Sequence, residues 1–419
     1  MTSPGANTPF VAIACGGTGG HLFPGLAVAE QLQQRGCAVA LLVSPKDVDQ
    51  EAVKSARGME IVTLPAVALQ NRNYLSFARS FWQSWRASRK LFKSRPPHAV
   101  LAMGGFTSAP PVLAAGKFGA RTFLHESNTI PGRANRFLAR FVDEAFVGFP
   151  SAAARLRARK VTTTGTPVRP QFLWGEAADE PARGDARPTP IATCRTMLGL
   201  DLNRPTILVM GGSQGASGIN DMMLSALPSL GNRAAAWQWL HLTGPNDAEK
   251  VKQAYAARGF KAVVKPFLAE MDLALGAATV AVSRAGASSL AEIAAMRLPS
   301  LLVPFPATAD NHQLSNAQAF EATGAARLLE QKNATQAKVA ALLCELVEDA
   351  AARAKIQTAL AQWHAPKAAE QIAENILSAC WSSSFSLPAK DSLKPELQQT
   401  RGQGGPRSDA VEREIFSAA

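Results

Sequence analysis

From Phe10 onward, short runs of β-branched and aliphatic residues alternate with amphipathic helical patterns, and three runs end in paired glycines. Parallel strands need a long crossover between them, usually a helix, so this alternation predicts doubly wound parallel sheets. Strands are expected at Phe10–Cys15, Ala38–Val43, Ile61–Leu64, Ala99–Met103, Thr122–Leu124 and Glu144–Val147, with a helix from Pro24 to Arg35 after the first. The pattern breaks over Gly175–Pro190, rich in Pro, Ala, Gly and mixed charge, which reads as a linker or surface loop. A second series follows, at Thr206–Met210, Trp237–Leu242, Ala262–Val264, Thr279–Val282 and Ser300–Val303. After Gln336 the chain reads as helical to about Cys380, and from Trp381 its composition predicts a disordered tail.

The 419 residues suit two or three domains, and the 47% apolar fraction suits ordinary cores. Five scattered cysteines form no CxxC, which argues against a zinc ribbon, a redox pair or a disulfide framework and suits a reducing cytosol. No basic residue precedes Arg35, so no signal-peptide n-region is expected, and no apolar stretch is long enough to span a bilayer. The 44 Lys and Arg against 32 Asp and Glu give a net charge of +12, which implies an acidic partner.

A strand–glycine turn–helix unit presents unpaired backbone N–H groups at the positive end of a helix, where phosphate binds. Any one such turn can be merely a tight connection. Three of them, Gly16–Gly20, Gly104-Gly105 and Gly211–Gly215, favour a phosphate-rich ligand. The dinucleotide fingerprint fails, because Leu22 stands where its last glycine is required and Ser44-Pro45 stands where its acidic residue would close the second strand. The P-loop fails as well, since no Gly-Lys-Ser/Thr occurs in these turns. Gly211-Gly212-Ser213-Gln214-Gly215 matches the GxSxG elbow, so an α/β serine hydrolase using Ser213, with Asp272 or Asp310 and His312 or His364, is an alternative.

Read in order, the motifs carry more. Gly16-Gly17-Thr18-Gly19-Gly20-His21-Leu22-Phe23-Pro24-Gly25 is followed by Gly104-Gly105-Phe106, His125-Glu126-Ser127-Asn128 and Gly165-Thr166-Pro167-Val168-Arg169. Then come Gly211–Gly215, Ser283-Arg284-Ala285-Gly286-Ala287 and Glu292-Ile293-Ala294. Over about residues 10–380 the set resembles the MurG family of bacterial N-acetylglucosaminyltransferases. The resemblance implies a GT-B fold, two Rossmann-like doubly wound domains facing a deep cleft. It implies inverting transfer of N-acetylglucosamine from UDP-N-acetylglucosamine to undecaprenyl-diphospho-muramoyl-pentapeptide (lipid I), forming lipid II, without a cofactor or catalytic metal. On this reading residues 1–170 form an acceptor and membrane-association domain, 171–200 a linker, 201–350 the donor domain, 351–380 C-terminal helices and 381–419 the tail. The place of work would be the cytoplasmic face of the inner membrane. The expected partners are the two substrates, an anionic membrane surface, and cell-wall and division proteins, with no nucleic acid.

The resemblance also assigns residues. His21, whose ordinary pKa lets it accept a proton near neutrality, is expected to act as base on the sugar 4-hydroxyl or to position the acceptor, with Glu126 in reserve. A turn-capping histidine and an ion-paired loop carboxylate are the plainer readings of these two. Thr18, Gly19, Gly20 and Asn128 fall on donor contacts, and Gly17, Gly104 and Gly105 suit the acceptor diphosphate. Arg169 and Ser213 are expected at the leaving diphosphate. Glu292 is expected to accept from the ribose hydroxyls, and the backbone of Leu268 to read uracil. Ala287, Ser288, Ser289, Leu290 and Ala291 lie on the donor stretch, where the sequence departs from a common family variant. His312 and Gln313 fall on a pair that contacts the sugar, in a segment of variable length.

One stretch accounts for much of the charge. Between Asn71 and Arg95 lie seven Lys and Arg and no Asp or Glu, with Tyr74, Phe77, Phe81, Trp85 and Phe92 mostly at helical spacing and Trp82 beside them. This predicts a basic amphipathic helix. An aromatic stripe of this kind can pack on a core, but the lipid substrate favours membrane contact through Phe77, Phe81, Trp82, Trp85 and Arg86.

Overall fold

The computed structural model describes residues 8–16, 19–45, 59–65, 74–173, 190–212, 215–306 and 311–381. Two parallel sheets form. The first has the strand order β3-β2-β1-β4-β5-β6-β7, with β1 Phe10–Ala14, β2 Ala38–Val43, β3 Glu60–Thr63, β4 Ala99–Ala102, β5 Arg121–Glu126, β6 Glu144–Val147 and β7 Val161–Thr163. The second has the order β10-β9-β8-β11-β12-β13, with β8 Thr206–Met210, β9 Gln238–Leu242, β10 Lys261–Lys265, β11 Val280–Ser283, β12 Ser300–Leu302 and β13 Arg327–Leu328. Central strands such as Phe-Val-Ala-Ile-Ala and Thr-Ile-Leu-Val-Met are buried along their whole length, as strands covered by helices on both faces must be.

The helices that matter for the site are α1 Gly19–Gln34, α2 Tyr74–Ser94, α3 Ala109–Ala115, α4 Arg133–Leu138, α5 Ile191–Met197, α6 Ser217–Leu230, α7 Ala287–Ala295, α8 His312–Ala322, α9 Gln336–Glu348, α10 Ala350–Ala361 and α11 Ala368–Trp381. Among the described residues, no helix is long and apolar enough to cross a membrane. The linker Gly175–Pro190, apart from Pro190, and the tail beyond Trp381 lie outside the described residues.

Packing redraws the expected domain limits. Phe172, Cys194, Leu198 and Leu200 lie in the core of the second sheet, so α5 belongs to that domain rather than to a linker. The C-terminal helices part company. Val339, Leu343, Ile356 and Leu360 of α9 and α10 join the second core, whereas Ile372, Ala373, Ile376 and Leu377 of α11 return to the first. Arg35, just past the end of α1, clamps that return through ion pairs of 3.0 and 3.5 Å to Glu370 and Glu374.

In each sheet the chain leaves in opposite directions from two adjacent central strands, β1 and β4 in the first and β8 and β11 in the second. The crevice beyond the carboxyl ends of such strands is where open α/β sheets bind ligands. Each glycine turn lies at such an end.

Candidate active site

Strand pairing sets the first two glycine turns side by side. Ala14 pairs with Ala102, and the Met103 N–H donates to the Ala14 carbonyl at 2.8 Å. Thr107 stitches them together, its hydroxyl donating to the Gly16 carbonyl at 2.7 Å, while the Ser108 hydroxyl donates to the Gly104 carbonyl at 2.6 Å. His21 lies in the first turn of α1, which begins at Gly19, earlier than the expected Pro24. Its imidazole rests against Gly104: a Cβ there would stand 2.9 Å from His21 Nε2. Gly104 also has φ +122°, so both backbone and space demand glycine. Gly105 has φ +78° and faces the other edge of the ring. Gly17, Thr18 and Ser213 lie outside the described residues.

Glu126 ends β5 and is 2% exposed. Its Oε1 accepts from the Asn128 N–H (2.8 Å) and Asn128 Nδ2 (3.0 Å), and its Oε2 from the Gly132 N–H (3.0 Å) and Asn135 Nδ2 (2.8 Å). A carboxylate so occupied is an organiser of the 126–135 turn, and this geometry argues against the reserve-base role. His125 beside it is wholly buried, which holds it neutral. The Gly165 carbonyl, 3.1 Å from Nε2, can only accept, so Nε2 carries the proton and Nδ1 faces the Ser127 hydroxyl at 3.3 Å.

The second sheet repeats the arrangement. Ser283 of β11 pairs with Met210 of β8, so the turn after Ser283 and the Gly211–Gly215 turn are neighbours. Gly215 has φ +77°, and a Cβ there would meet the Thr243 carbonyl at 2.4 Å. Behind α6, Asn220 Nδ2 donates to the Thr243 carbonyl (2.9 Å) and to Asp247 (2.8 Å). Its Oδ1 therefore faces His241 Nε2, which donates at 2.9 Å, and burial drives the His241 pKa down to about 3. This network of neutral His241, Asn220 and the Asp247 carboxylate fixes the N-terminal turn of α6.

The two halves meet across the N-termini of α1 and α7. Pro24 has no N–H to give the Gly20 carbonyl four residues earlier, and that carbonyl accepts from the Ser288 hydroxyl at 2.7 Å instead. Arg169 is buried, with its guanidinium 4.1 Å from the Phe23 ring, 5.0 Å from the Phe172 ring and 3.7 Å from Glu292. Its Nε has no hydrogen-bond partner among the described residues. Burial raises the Glu292 pKa to about 7, against the pull of Arg169.

Of the remaining donor-stretch residues, Ser289 and Ala291 are half-buried, whereas Ala287 and Leu290 are in the core. Any contact that Leu290 or Ala287 makes with a donor is therefore through its backbone. Leu268 is also buried, which suits a backbone role. His312 and Gln313 start α8, and Gln313 Oε1 accepts from the Phe305 N–H at 3.0 Å. Sequence reasoning passed over Asn316, Asn220, His241 and Thr107. Only Asn316 carried a signal, being four residues from His312 on the same helix face.

The basic helix forms as α2, but its aromatic stripe is largely core. Phe77 is buried and meets Phe106 edge-on at 5.4 Å, and Phe81 and Trp85 are half-buried against the first domain. Outward stand Leu75, 85% exposed, and Trp82, 53% exposed. Arg86 lies over the Trp82 ring at 4.6 Å, and Arg89 and Lys117 over Trp85 at 4.8 and 5.4 Å.

Two parallel-sheet domains, with glycine turns at both switch points and the N-termini of α1 and α7 meeting, form the GT-B architecture, and the family matches make it that of a glycosyltransferase. The glycosyltransferase family 28 N-terminal domain matches residues 11–147, and the family 28 C-terminal domain matches 206–372. A UDP-N-acetylglucosamine–N-acetylmuramyl-(pentapeptide) pyrophosphoryl-undecaprenol N-acetylglucosamine transferase of Anaeromyxobacter sp. (strain K) is 34% identical over 91% of this chain and 97% of its own. One of the same name from Citrifermentans bemidjiense is 36% identical over 85% and 96%. The crystal structure of Acinetobacter baumannii MurG superposes with TM-score 0.66 at 25% identity, over 88% of this chain and all of that one. The chain belongs to this family of N-acetylglucosamine transferases, the MurG family.

Proposed function

We propose that the protein transfers N-acetylglucosamine from UDP-N-acetylglucosamine to lipid I, with inversion, and so makes lipid II. The observation that carries this reading is the meeting of the two domains: the Ser288 hydroxyl on the Gly20 carbonyl sets the start of α7 against the start of α1, and Arg169 reaches Glu292. The relatives named above carry that transfer in their names. Neither the family models nor these relatives support the serine hydrolase alternative.

In this mechanism the glycine turns at Gly17 and Gly104-Gly105 hold the acceptor diphosphate beside His21. The His21 imidazole takes the proton from the sugar 4-hydroxyl as its oxygen attacks the anomeric carbon, and the bond to UDP breaks on the opposite face. Negative charge grows on the leaving diphosphate, where Arg169, Ser213 and the N-terminus of α6 neutralise it. Glu292 accepts from the ribose hydroxyls, the Leu268 backbone reads uracil, and Asn128, His312 and Gln313 hold the sugar, with Thr18, Gly19, Gly20, Ser288 and Ser289 along the donor. Leu75, Trp82 and the cations around them rest on the anionic inner face of the membrane, where the lipid acceptor is found. His21→Ala tests the chemistry: turnover of lipid I should collapse while the affinity for UDP-N-acetylglucosamine stays nearly constant. Retained turnover would rule out His21 as the base.

A further inference from the structure

We propose that Asn316 is a positioning residue that orients Asn128 toward the donor and sets the register of the two domains; this rests on the donor-site reading above. Asn316 is fully buried on α8. Its Oδ1 accepts from the Thr129 N–H (3.0 Å) and the Thr129 hydroxyl (2.9 Å), both on the first domain. Its Nδ2 donates to Asn128 Oδ1 (3.0 Å), again on the first domain, and to the Ala285 carbonyl (3.1 Å) of its own domain. The amide has no alternative orientation. The Thr129 N–H can only donate and the Ala285 carbonyl can only accept, so Oδ1 and Nδ2 are fixed by partners that cannot exchange roles.

That assignment passes to Asn128. With its Oδ1 turned to Asn316 and its Nδ2 donating to Glu126 Oε1, the Asn128 amide is held from both sides. These bonds leave its second amide hydrogen to an incoming ligand, so Asn128 presents a donor suited to a hydroxyl or carbonyl oxygen of a sugar. The same chain of bonds runs from the end of β5, through Asn128 and Asn316, to Ala285 just before α7, the helix of Ser288 and Glu292. His312 and Gln313 lie four and three residues before Asn316, on the same face of α8. One side chain thereby ties the proposed sugar contacts of both domains together.

The experiment compares the full-length wild type with Asn316→Ala, Asn128→Ala and the double variant, by steady-state kinetics with lipid I and by calorimetry with UDP. Asn316→Ala should raise KM for UDP-N-acetylglucosamine roughly tenfold and lower kcat, while UDP, which lacks the sugar, binds within about threefold of wild type. The double variant should be no worse than the poorer single one, because the two residues act as a unit. Effects that multiply, or a lowered Tm with unchanged kinetic constants, would overturn the proposal. If Asn316→Ala does not fold, Thr129→Val deletes one donor to Asn316 with little change of volume. It should move KM in the same direction, and unchanged kinetics would overturn the proposal equally. A wild-type chain that binds neither UDP nor UDP-N-acetylglucosamine would instead sink the functional reading itself.

Discussion

The Ser288 hydroxyl donates across the cleft to the Gly20 carbonyl, at 2.7 Å, and that carbonyl is available because Pro24 cannot supply the helical hydrogen bond. A proline near the start of a helix here leaves an acceptor at the domain boundary. Ser288→Ala removes the bond and should weaken closure by about 1 kcal/mol, roughly a fivefold rise in KM for the donor sugar nucleotide. Pro24→Ala restores the N–H, which competes for the same carbonyl, so it should raise that KM while raising Tm. Steady-state kinetics and thermal melting check both, and a Pro24→Ala chain with unaltered KM would count against the competition.

Glu292 lies 3.7 Å from Arg169 and yet titrates near 7, because its burial outweighs the ion pair. The folded chain thus holds this proton more tightly than the unfolded chain, whose glutamates titrate near 4.5. Stability must then fall as pH rises between those values. Glutamine at this position does not titrate. Relative to Glu292→Gln, the wild type should lose on the order of 2–3 kcal/mol of stability from pH 4.5 to 7. Melting of both chains at pH 5 and 7.5 is the measurement, and parallel curves would show that Glu292 titrates normally. The same substitution should weaken UDP binding, since one acceptor oxygen becomes a donor.

The central strands were readable in the sequence because burial on both faces leaves an uninterrupted apolar run, as at Ala38–Val43 and Thr206–Met210. The edge strands Val161–Thr163 and Arg327–Leu328 were not, since they are short and only partly covered. The start of α1 is not legible, because glycine and proline read as a turn, whereas a helix that opens at Gly19 and Gly20 points its first N–H groups where a phosphate site requires them. Candidate residues came from motifs, and motifs are local. The return of α11 to the first domain and the bridge from Asn316 to Thr129 span sequence separations that no local pattern encodes.

Glu126 separates loop order from acid–base chemistry. Alanine at this position would strip an acceptor from the Asn128 and Gly132 N–H groups and from the side chains of Asn128 and Asn135. Leaving buried donors unsatisfied should cost at least about 3 kcal/mol. Glu126→Gln keeps the shape but turns one accepting oxygen into a donor, so it should lower Tm as well. Whatever activity either variant retains should keep the wild-type pH profile if, as proposed above, His21 and not Glu126 takes the proton. A profile that loses its acidic limb in Glu126→Gln would return this residue to the chemistry.

The faces of α2 predict a clean division between stability and membrane binding. Phe77 is buried against Phe106, next to the Gly104-Gly105 turn, so Phe77→Ala should cost roughly 3–5 kcal/mol, seen as a large fall in Tm. Leu75 and Trp82 project from the same helix, and the double change Leu75→Ser with Trp82→Ala should leave Tm within a few degrees of wild type. That double variant should bind vesicles containing anionic phospholipid several-fold more weakly, having lost the apolar part of the contact. Charge reversal of Arg86, which lies over the Trp82 ring, adds the electrostatic part, worth about 1 kcal/mol for each cation near an anionic surface. Binding should therefore weaken steeply with salt in the wild type and less steeply once Arg86 is replaced. Sedimentation with vesicles of fixed composition over a salt series measures both slopes. Identical slopes for wild type and Arg86→Glu would place the membrane contact on another face of the domain.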